Sequence, residues 1–191
     1  MIFATNNKNK VKELKDILKD YELISLEEAG IDIDIKETGK TFYENALIKA
    51  KTIFDLKGIP TIADDSGLIF EELKDWPGIY TKRIGDESEQ KYQKRNQIFL
   101  DKGKILTNKN IKAICCLVYY DGNKIISAEG VMEGTILDKE YPGNGFGFDS
   151  IFKLSDGRIV SQLDSKEKNQ ISHRYKASVN LKNKLKKEIT I

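Results

Sequence analysis

Two adjacent carboxylates stand where a short apolar run ends, in Asp64-Asp65-Ser66-Gly67. Neighbouring carboxylates repel one another, and Mg²⁺ would offset that repulsion because it prefers oxygen ligands and retains several of its waters. Asp, Ser and Gly are also turn-forming residues, so an ordinary turn is the alternative interpretation. A tetrahedral zinc site is disfavoured, since the chain has one histidine and its two cysteines are adjacent.

A strand end that runs directly into a helix start lies in Thr5-Asn6-Asn7-Lys8-Asn9-Lys10. The free N–H groups and the positive dipole end of such a helix favour phosphate, and Lys10 would add a point charge one turn into the helix. A capped helix with solvated lysines explains the same residues without a ligand.

The segment Glu37-Thr38-Gly39-Lys40-Thr41 looks like the end of a P-loop. The first glycine of that motif would have to be residue 34, which is Asp34. The glycines of the segment 143–147 do not have dinucleotide-binding spacing either. Glu37, an acidic residue beside a helix start, is therefore the informative residue of the segment.

Two aromatic rings lie among glycines in Gly143-Asn144-Gly145-Phe146-Gly147-Phe148-Asp149. An exposed phenylalanine could stack on a nucleobase, which contributes about 1–3 kcal/mol. The alternative is that one or both rings fill the core. Further along, His173 and Arg174 stand at a helix start, where positive side chains oppose the helix dipole. An anionic or acceptor-rich ligand would offset that cost.

The elements that position these residues alternate between strands and helices. Apolar spacing predicts helices over about 8–19 and 41–56, an exposed helix over 86–97 and a last helix capped by Ser172. Thr41 and Glu44 fit a capping box. Strands are predicted at 2–5, 23–26, 59–63 (resuming at Leu68), 113–120, 124–128 and 151–152, with Asp121-Gly122-Asn123 as a hairpin turn. This alternation predicts an α/β fold.

Composition limits the classes of function. The 191 residues suit one sizeable domain with room for two lobes. The net charge of +2 is too small to indicate a nucleic-acid or membrane surface. Cys115 and Cys116 would point to opposite faces of a strand, so we interpret them as unbonded buried thiols of a reducing compartment. We see no signal peptide and no transmembrane-length apolar run, and expect a cytoplasmic protein.

Taken together, these segments resemble the inosine/xanthosine triphosphate pyrophosphatase family, from the first strand to the last helix. The markers of the resemblance are Thr5-Asn6-Asn7-Lys8-Asn9-Lys10, Glu37-Thr38-Gly39, Phe42-Tyr43-Glu44-Asn45-Ala46 with Lys49, Ala63-Asp64-Asp65-Ser66-Gly67-Leu68, Pro77-Gly78-Ile79-Tyr80, Gly145-Phe146-Gly147-Phe148-Asp149 and Ile171-Ser172-His173-Arg174. The resemblance implies one pyrophosphatase domain over 1–191. It also implies an elongated two-lobed α/β fold with a long mixed central sheet, an active site in the cleft between the lobes, and a homodimer.

The resemblance also implies a magnesium-dependent cleavage between the α and β phosphates of deaminated purine nucleoside triphosphates (ITP, dITP and XTP). Asp65 is the expected general base, with Asp64 beside it as a second catalytic carboxylate. Glu37 and Asp65 would hold Mg²⁺. The expected substrate-binding residues are Thr5, Asn7, Lys10, Lys49, Ser66, Phe146, Gly147, Phe148, Asp149, Lys168, His173 and Arg174.

Base selection should depend on the 6-keto oxygen, which hypoxanthine and xanthine offer as an acceptor where adenine has an amino donor. Donors on Lys168, His173 or Arg174 would pair with the first and stay unpaired against the second, at about 1–3 kcal/mol for each unpaired group. Two departures from the family pattern stand out. Asn6 replaces a glycine and is expected to take over its left-handed conformation. Ser150 replaces a proline, whose loss should loosen the loop.

Two alternatives remain at this point. A Maf-like enzyme also cleaves nucleoside triphosphates but prefers other bases, and the 146–149 loop and the Ser172-His173-Arg174 segment favour the first interpretation. A nucleic-acid-binding module without catalysis is suggested only by the lysines, and the near-neutral net charge argues against it.

Overall fold

The computed structural model describes residues 1–84 and 90–188, with side chains for all of these except 90–93. The chain divides into two compact units by its internal contacts. Unit 1 comprises Met1–Ser66, Cys115–Gly130 and His173–Ile191, and unit 2 comprises Gly67–Ile114 and Val131–Ser172. Nowhere in the described ranges does a helix have the length and apolar character needed to cross a membrane.

A mixed sheet with helices gives the α/β class that the sequence predicts. The strand order is β2-β1-β3-β5-β6-β7, and β4 pairs with β3 off this path. The strands are β1 (Ile2–Phe3), β2 (Ile24–Ser25), β3 (Thr61–Phe70), β4 (Trp76–Pro77), β5 (Asn110–Tyr120), β6 (Ile125–Ile136) and β7 (Phe152–Leu154). β1 is parallel to β2 and to β3, whereas β4 is antiparallel to β3 and β7 is antiparallel to β6.

Unit 1 has an apolar core on each face of its part of the sheet. Helices α1 (Lys8–Ile17) and α5 (His173–Glu188) pack on one face, where Leu14 and Leu181 are buried. Helix α2 (Phe42–Lys57) packs on the other, through Ala46 and Ile53. Because successive strand residues point to opposite faces, Cys115 lies in the first core and Cys116 in the second. Both thiols are buried and unbonded, which confirms the prediction made for them.

The ends of helix α2 follow from its sequence. The Thr41 hydroxyl accepts a hydrogen bond from the Glu44 N–H, as the capping pattern predicts. The Glu44 carboxylate accepts from the N–H of Lys40 at 2.6 Å, one residue before the position expected in a capping box. Gly58 ends the helix in the left-handed conformation, with φ of 65°.

The alternative interpretation of Asp64-Asp65-Ser66-Gly67 as a turn is wrong, and so is the predicted interruption of the strand before Leu68, because β3 runs from Thr61 to Phe70. Two adjacent carboxylates can lie in a strand because their side chains point to opposite faces of the sheet, where each has its own basic partner. The expectation for Asn6 is also wrong. Among the described non-glycine residues, positive φ occurs at Lys74 and Asp75, so Asn6 does not replace a left-handed glycine.

The described residues of unit 2 form one core, which includes Phe70, Phe99 and Phe152. Its helices are α3 (Gln90–Ile105) and α4 (Ser165–Ile171). The helix predicted over 86–97 is present from Gln90, and its 86–89 portion lies outside the described residues. The prediction that this helix is exposed is wrong in part, because Arg95 and Asn96 are buried within the predicted range. Helix α4 was not predicted, although Asp164 and Glu167 form a complete capping box at its start.

Candidate active site

The two adjacent aspartates of β3 have separate surroundings within unit 1. Both are buried, Asp64 at 1 % exposed and Asp65 at 8 %. Residues two apart in a strand share a face, so Asp64 and Ser66 point the same way, while Asp65 points to the side of helix α2. An isolated buried carboxylate is costly, and each of the two is therefore matched by basic or amide groups.

Asp64 is held by two cations from different helices. Lys10 Nζ of α1 lies 2.7 Å from Asp64 Oδ2 and donates a hydrogen bond to Ser66 Oγ at 3.3 Å. Arg174 Nε of α5 lies 3.7 Å from the same carboxylate oxygen. Although burial opposes ionisation, Lys10 and then Arg174 hold the pKa of Asp64 well below its ordinary value. Asp64 is thus a fixed negative charge that orients two basic side chains.

Asp65 is held by the first half of helix α2. Asn45 Nδ2 donates to Asp65 Oδ2 at 3.0 Å, and Lys49 Nζ lies 4.0 Å from Asp65 Oδ1. The same ammonium group lies 2.5 Å from Glu37 Oε1. Burial raises the pKa of Asp65 above its ordinary value, although Lys49 and Asn45 favour the carboxylate. A raised pKa brings a carboxylate closer to the range in which it can accept a proton from water.

Asn45 is a site residue that sequence reasoning quoted only as part of a motif. Its side chain joins two segments, because Oδ1 accepts from the Gly39 N–H at 2.8 Å while Nδ2 donates to Asp65. A Cβ atom on residue 39 would lie 2.6 Å from Glu44 Cβ, so only glycine permits this approach. The signal available in the sequence was the spacing of Asn45 four residues before Lys49, which places both side chains on one face of the predicted helix.

The residues around Lys49 fit a hard divalent cation. Glu37 and Asp65 supply carboxylate oxygens that share one ammonium group, and Mg²⁺ is commonly bound by one or two carboxylates together with substrate phosphates. Glu37 also raises the pKa of Asp65, a repulsion that a cation would relieve. Among the described residues, no group of three or more His, Cys, Asp or Glu could hold a metal ion, so the fit rests on Glu37 and Asp65 as a pair.

The residues expected to bind the triphosphate at the first strand–helix turn lie at the start of helix α1. Asn7 caps the helix, and its Oδ1 accepts from the N–H of Asn9 at 3.0 Å and of Lys10 at 3.3 Å. The Thr5 hydroxyl accepts from the Asn7 N–H at 3.3 Å. The cap orders this turn and leaves Lys10 on the helix face that meets Asp64. The bland interpretation of these lysines as solvated holds for Lys8, which is exposed, and not for Lys10.

Arg174 has neighbours that the sequence did not indicate. Its Nη1 lies 2.6 Å from Glu13 Oε2 of α1, and its Nη2 donates to Ser66 Oγ at 3.3 Å. With Nε near Asp64, all three guanidinium nitrogens face residues of unit 1. His173 also belongs to unit 1 and is buried. The prediction that Arg174 donates to the base stays a prediction.

The two phenylalanines of the 143–149 loop in unit 2 have different surroundings. Phe148 packs against the core of unit 2, with its ring centroid 6.5 Å from that of Phe152. Phe146 is half-buried and outside that core, and Lys168 Nζ lies 4.1 Å from its ring centroid. The core-filling alternative therefore holds for Phe148 and not for Phe146.

Asp149 fixes the shape of this loop. Its Oδ2 accepts from the Phe146 N–H at 2.8 Å and from Lys168 Nζ at 2.7 Å. A Cβ atom on residue 145 would lie 2.5 Å from Asp149 Cβ, so glycine is required there too. The structure thus brings Phe146, Asp149 and Lys168 into one cluster within unit 2, whereas His173 and Arg174 belong to unit 1.

The family model of the Ham1 family matches residues 1–184, which is nearly the whole chain. The chain belongs to the Ham1 family. Two similar Ham1 proteins of known structure are the Ham1 protein of Staphylococcus aureus and that of Coxiella burnetii. The first is 33 % identical, with a TM-score of 0.86 and 98 % of each chain covered. The second is 32 % identical, with a TM-score of 0.88 and 97 % of this chain and 98 % of that chain covered.

Curated relatives of this Ham1 chain carry a functional name. The dITP/XTP pyrophosphatase of Caldanaerobacter subterraneus subsp. tengcongensis is 40 % identical over 195 residues, covering 99 % of this chain and 97 % of that protein. The dITP/XTP pyrophosphatase of Campylobacter jejuni subsp. jejuni is 39 % identical over 187 residues, covering 93 % and 92 %. The resemblance inferred from the sequence motifs is thereby confirmed at the level of the family.

Proposed function

We propose that this Ham1 protein is a pyrophosphatase that cleaves deaminated purine nucleoside triphosphates, among them dITP, ITP and XTP, into the nucleoside monophosphate and pyrophosphate. One observation carries the proposal. Two adjacent buried carboxylates have different basic partners, which are Lys10 and Arg174 for Asp64 and Lys49 for Asp65. A fixed anion that orients cations for the phosphates and a carboxylate able to accept a proton from water contribute to the positioning, charge neutralisation and water activation that phosphoryl transfer requires. The names of the relatives agree with this chemistry.

The triphosphate is assigned to the basic residues of unit 1. Lys10 and Lys49 supply positive charge, and the side chains of Thr5, Asn7 and Ser66 supply hydrogen bonds. Lys10 is already oriented by Asp64, so little side-chain freedom is lost when a phosphate binds. Neutralising charge on the phosphates is the largest catalytic requirement of this reaction, because phosphoryl transfer depends on positioning and electrostatics.

Asp65 is assigned as the general base. A water oxygen attacks the α phosphorus and forms the new P–O bond, while the bond from that phosphorus to the oxygen bridging the α and β phosphates breaks. The water proton passes to the Asp65 carboxylate, and pyrophosphate leaves with the bonding electrons. Asn45 and the Ser66 N–H hold Asp65 through its two oxygens, at 3.0 and 2.9 Å, which fixes its direction for this step.

A divalent cation belongs to this proposal. Glu37 and Asp65 are the residues that would hold Mg²⁺, which when bound would neutralise phosphate charge and lower the pKa of a bound water. Lys49 contacts both carboxylates and so keeps this pair together.

The base is assigned to the cluster of unit 2. Lys168 covers one face of the Phe146 ring, so the other face is the one available for stacking on a purine. Lys168 and the backbone around Gly147 and Asp149 are the donors assigned to the 6-keto oxygen, with His173 and Arg174 as the further candidates. A donor that pairs with hypoxanthine stays unpaired against adenine, which disfavours ATP.

The proposal extends to the oligomeric state and the cellular location of the protein. We expect a cytoplasmic homodimer that acts on free nucleotides and binds neither nucleic acid nor membrane. A Maf-like preference for other bases is the second candidate, and no contact in the described residues favours it.

A substrate panel tests the proposal. Pyrophosphate release is measured with ITP, dITP, XTP, ATP, GTP, CTP and UTP in the presence of Mg²⁺. We expect the highest specificity constants for ITP, dITP and XTP. A preference for a pyrimidine would support the Maf-like alternative, and equal rates for ATP and ITP would contradict the assignment of the base site.

A further inference from the structure

A buried asparagine supports the 143–150 loop from behind. Asn96 lies on helix α3 and is 2 % exposed. Its Nδ2 donates to the Gly147 carbonyl oxygen at 2.9 Å and to Ser150 Oγ at 3.2 Å. An amide nitrogen carries two hydrogens, so it can make both bonds at once. Asn96 is not among the residues assigned to the nucleotide.

Gly147 connects Asn96 to the cluster of Phe146, Asp149 and Lys168, because its carbonyl oxygen accepts the hydrogen bond from Asn96. It stands between Phe146 and Asp149 in a left-handed conformation, with φ of 69°. A glycine in this region has no Cβ to restrict it, so its peptide group rotates more easily than that of another residue. The hydrogen bond from Asn96 fixes the direction of the Gly147 carbonyl, and with it the orientation of Phe146 relative to Asp149.

Ser150 connects the loop to a second support. Its hydroxyl accepts from Asn96 and donates to Glu140 Oε2 at 3.0 Å, which uses its one hydrogen and one of its lone pairs. The Ser150 carbonyl oxygen accepts from the Tyr141 N–H at 2.8 Å. The expected loosening of the loop at this serine is therefore countered by fixed hydrogen bonds.

We propose that Asn96, through Gly147 and with Ser150 and Glu140, is the positioning residue of the purine-binding loop, an inference that rests on the proposed function. Two other bonds of the loop, from the Phe146 N–H and from Lys168 Nζ, end on Asp149, which is itself assigned to the ligand. The bonds of Asn96 use no side chain assigned to the ligand, so they hold the loop independently of the nucleotide. Preorganisation of this kind lowers the entropic cost of binding.

The test measures the binding of two small ligands to the full-length protein. Binding of dIMP reports on the base site, and binding of inorganic tripolyphosphate reports on the basic residues of unit 1. Asn96→Asp keeps the shape of the side chain and removes both donor hydrogens. Gln97→Glu is its matched control, because it makes the same chemical change at the next position, where the side chain is exposed. Thermal unfolding shows whether each variant folds.

We expect Asn96→Asp to weaken dIMP binding by about five- to twentyfold, the effect of losing one or two hydrogen bonds. Tripolyphosphate binding and the Gln97→Glu variant should match the wild type. With dITP as substrate, KM should rise more than kcat falls, and the preference for dITP over dATP should decrease. A purely structural role would instead weaken both probes together.

Ser150 supplies a second, milder pair of variants. Ser150→Ala removes only the hydroxyl and should reproduce the selective loss of dIMP binding, whereas Ser150→Thr keeps a hydroxyl and should restore it. Unchanged dIMP binding in both Asn96→Asp and Ser150→Ala, or equal weakening of both probes, would overturn the proposal. Pyrophosphate release from dITP by the wild type tests the proposed function separately. If it fails while dIMP binding keeps the expected pattern, only the hydrolytic assignment is lost.

Discussion

Neutralising Asp64 should mainly lower the stability of the protein, whereas neutralising Asp65 should mainly lower its turnover. Asp64→Asn removes the charge that compensates Lys10 at 2.7 Å and Arg174 at 3.7 Å. It leaves the partly buried Lys10 without its carboxylate partner, and the buried Arg174 with Glu13 as its remaining one. Removing one partner of a buried ion pair costs about 3 kcal/mol or more. For a chain of this length that corresponds to a fall of roughly 6–12 °C in the melting temperature.

Asp65→Asn should leave stability within about 1 kcal/mol of the wild type. The amide keeps one of the two hydrogen bonds that Asp65 accepts, and the loss of the other costs about 1 kcal/mol. Burial raises the pKa of Asp65, which means that its charge is unfavourable in the folded protein. Removing that charge therefore offsets part of the free energy lost with the hydrogen bond. Turnover should nevertheless fall by at least about a hundredfold, because the general base is gone.

The two variants are matched, since the chemical change is the same at adjacent positions. Urea and thermal unfolding measure stability, and pyrophosphate release from dITP measures turnover. The lowered pKa of Asp64 means that its stabilising effect is complete above the pKa of the unfolded chain, about 3.9. That effect is lost as the pH falls further, through the folded pKa. The stability gap between wild type and Asp64→Asn should therefore close in acid. Near-normal turnover of Asp65→Asn, or equal destabilisation by both changes, would refute the division of roles.

Three further outcomes are expected. Activity should require Mg²⁺ or a similar hard divalent ion because Glu37 and Asp65 share a single ammonium group, and full turnover in excess EDTA would contradict this. Arg174→Ala should lower the specificity constant for ITP more than that for ATP, by about ten- to a hundredfold if a charge-assisted donor to the base is lost; an unchanged ratio would show that Arg174 acts only through Glu13, Ser66 and Asp64. Burial raises the pKa of Cys115 and Cys116 to about 12, so a thiol reagent should label neither in the native protein and both after unfolding, and rapid native labelling would contradict their burial.

The sequence could predict the elements whose signal is local. Helix α2 follows from apolar spacing and from Thr41, and the β5–β6 hairpin follows from Asp121-Gly122-Asn123, because turn and cap residues act on their immediate neighbours. The continuity of β3 could not be predicted in this way. Asp64-Asp65-Ser66-Gly67 has turn-forming residues, and what keeps it extended is a set of partners far away in sequence, Lys10 and Arg174 on one face and Asn45 and Lys49 on the other.

The site shows the same limit. Motif resemblance was enough to name Lys10, Lys49 and the two aspartates, whereas the contact of Glu13 with Arg174 spans 161 positions and has no local signal. Asn96 was missed for a similar reason. It lies in a polar helix that pattern alone describes as exposed, and its role becomes visible only through its bonds to Gly147 and Ser150.

The central claim is that this protein hydrolyses the bond between the α and β phosphates of a deaminated purine nucleotide. Phosphorus NMR of a reaction with dITP and Mg²⁺ tests it most directly, with dATP as the matched substrate. The account predicts that dIMP and pyrophosphate appear in equal amounts and that dATP is cleaved far more slowly. Release of dIDP and orthophosphate, or equal cleavage of dITP and dATP, would contradict it.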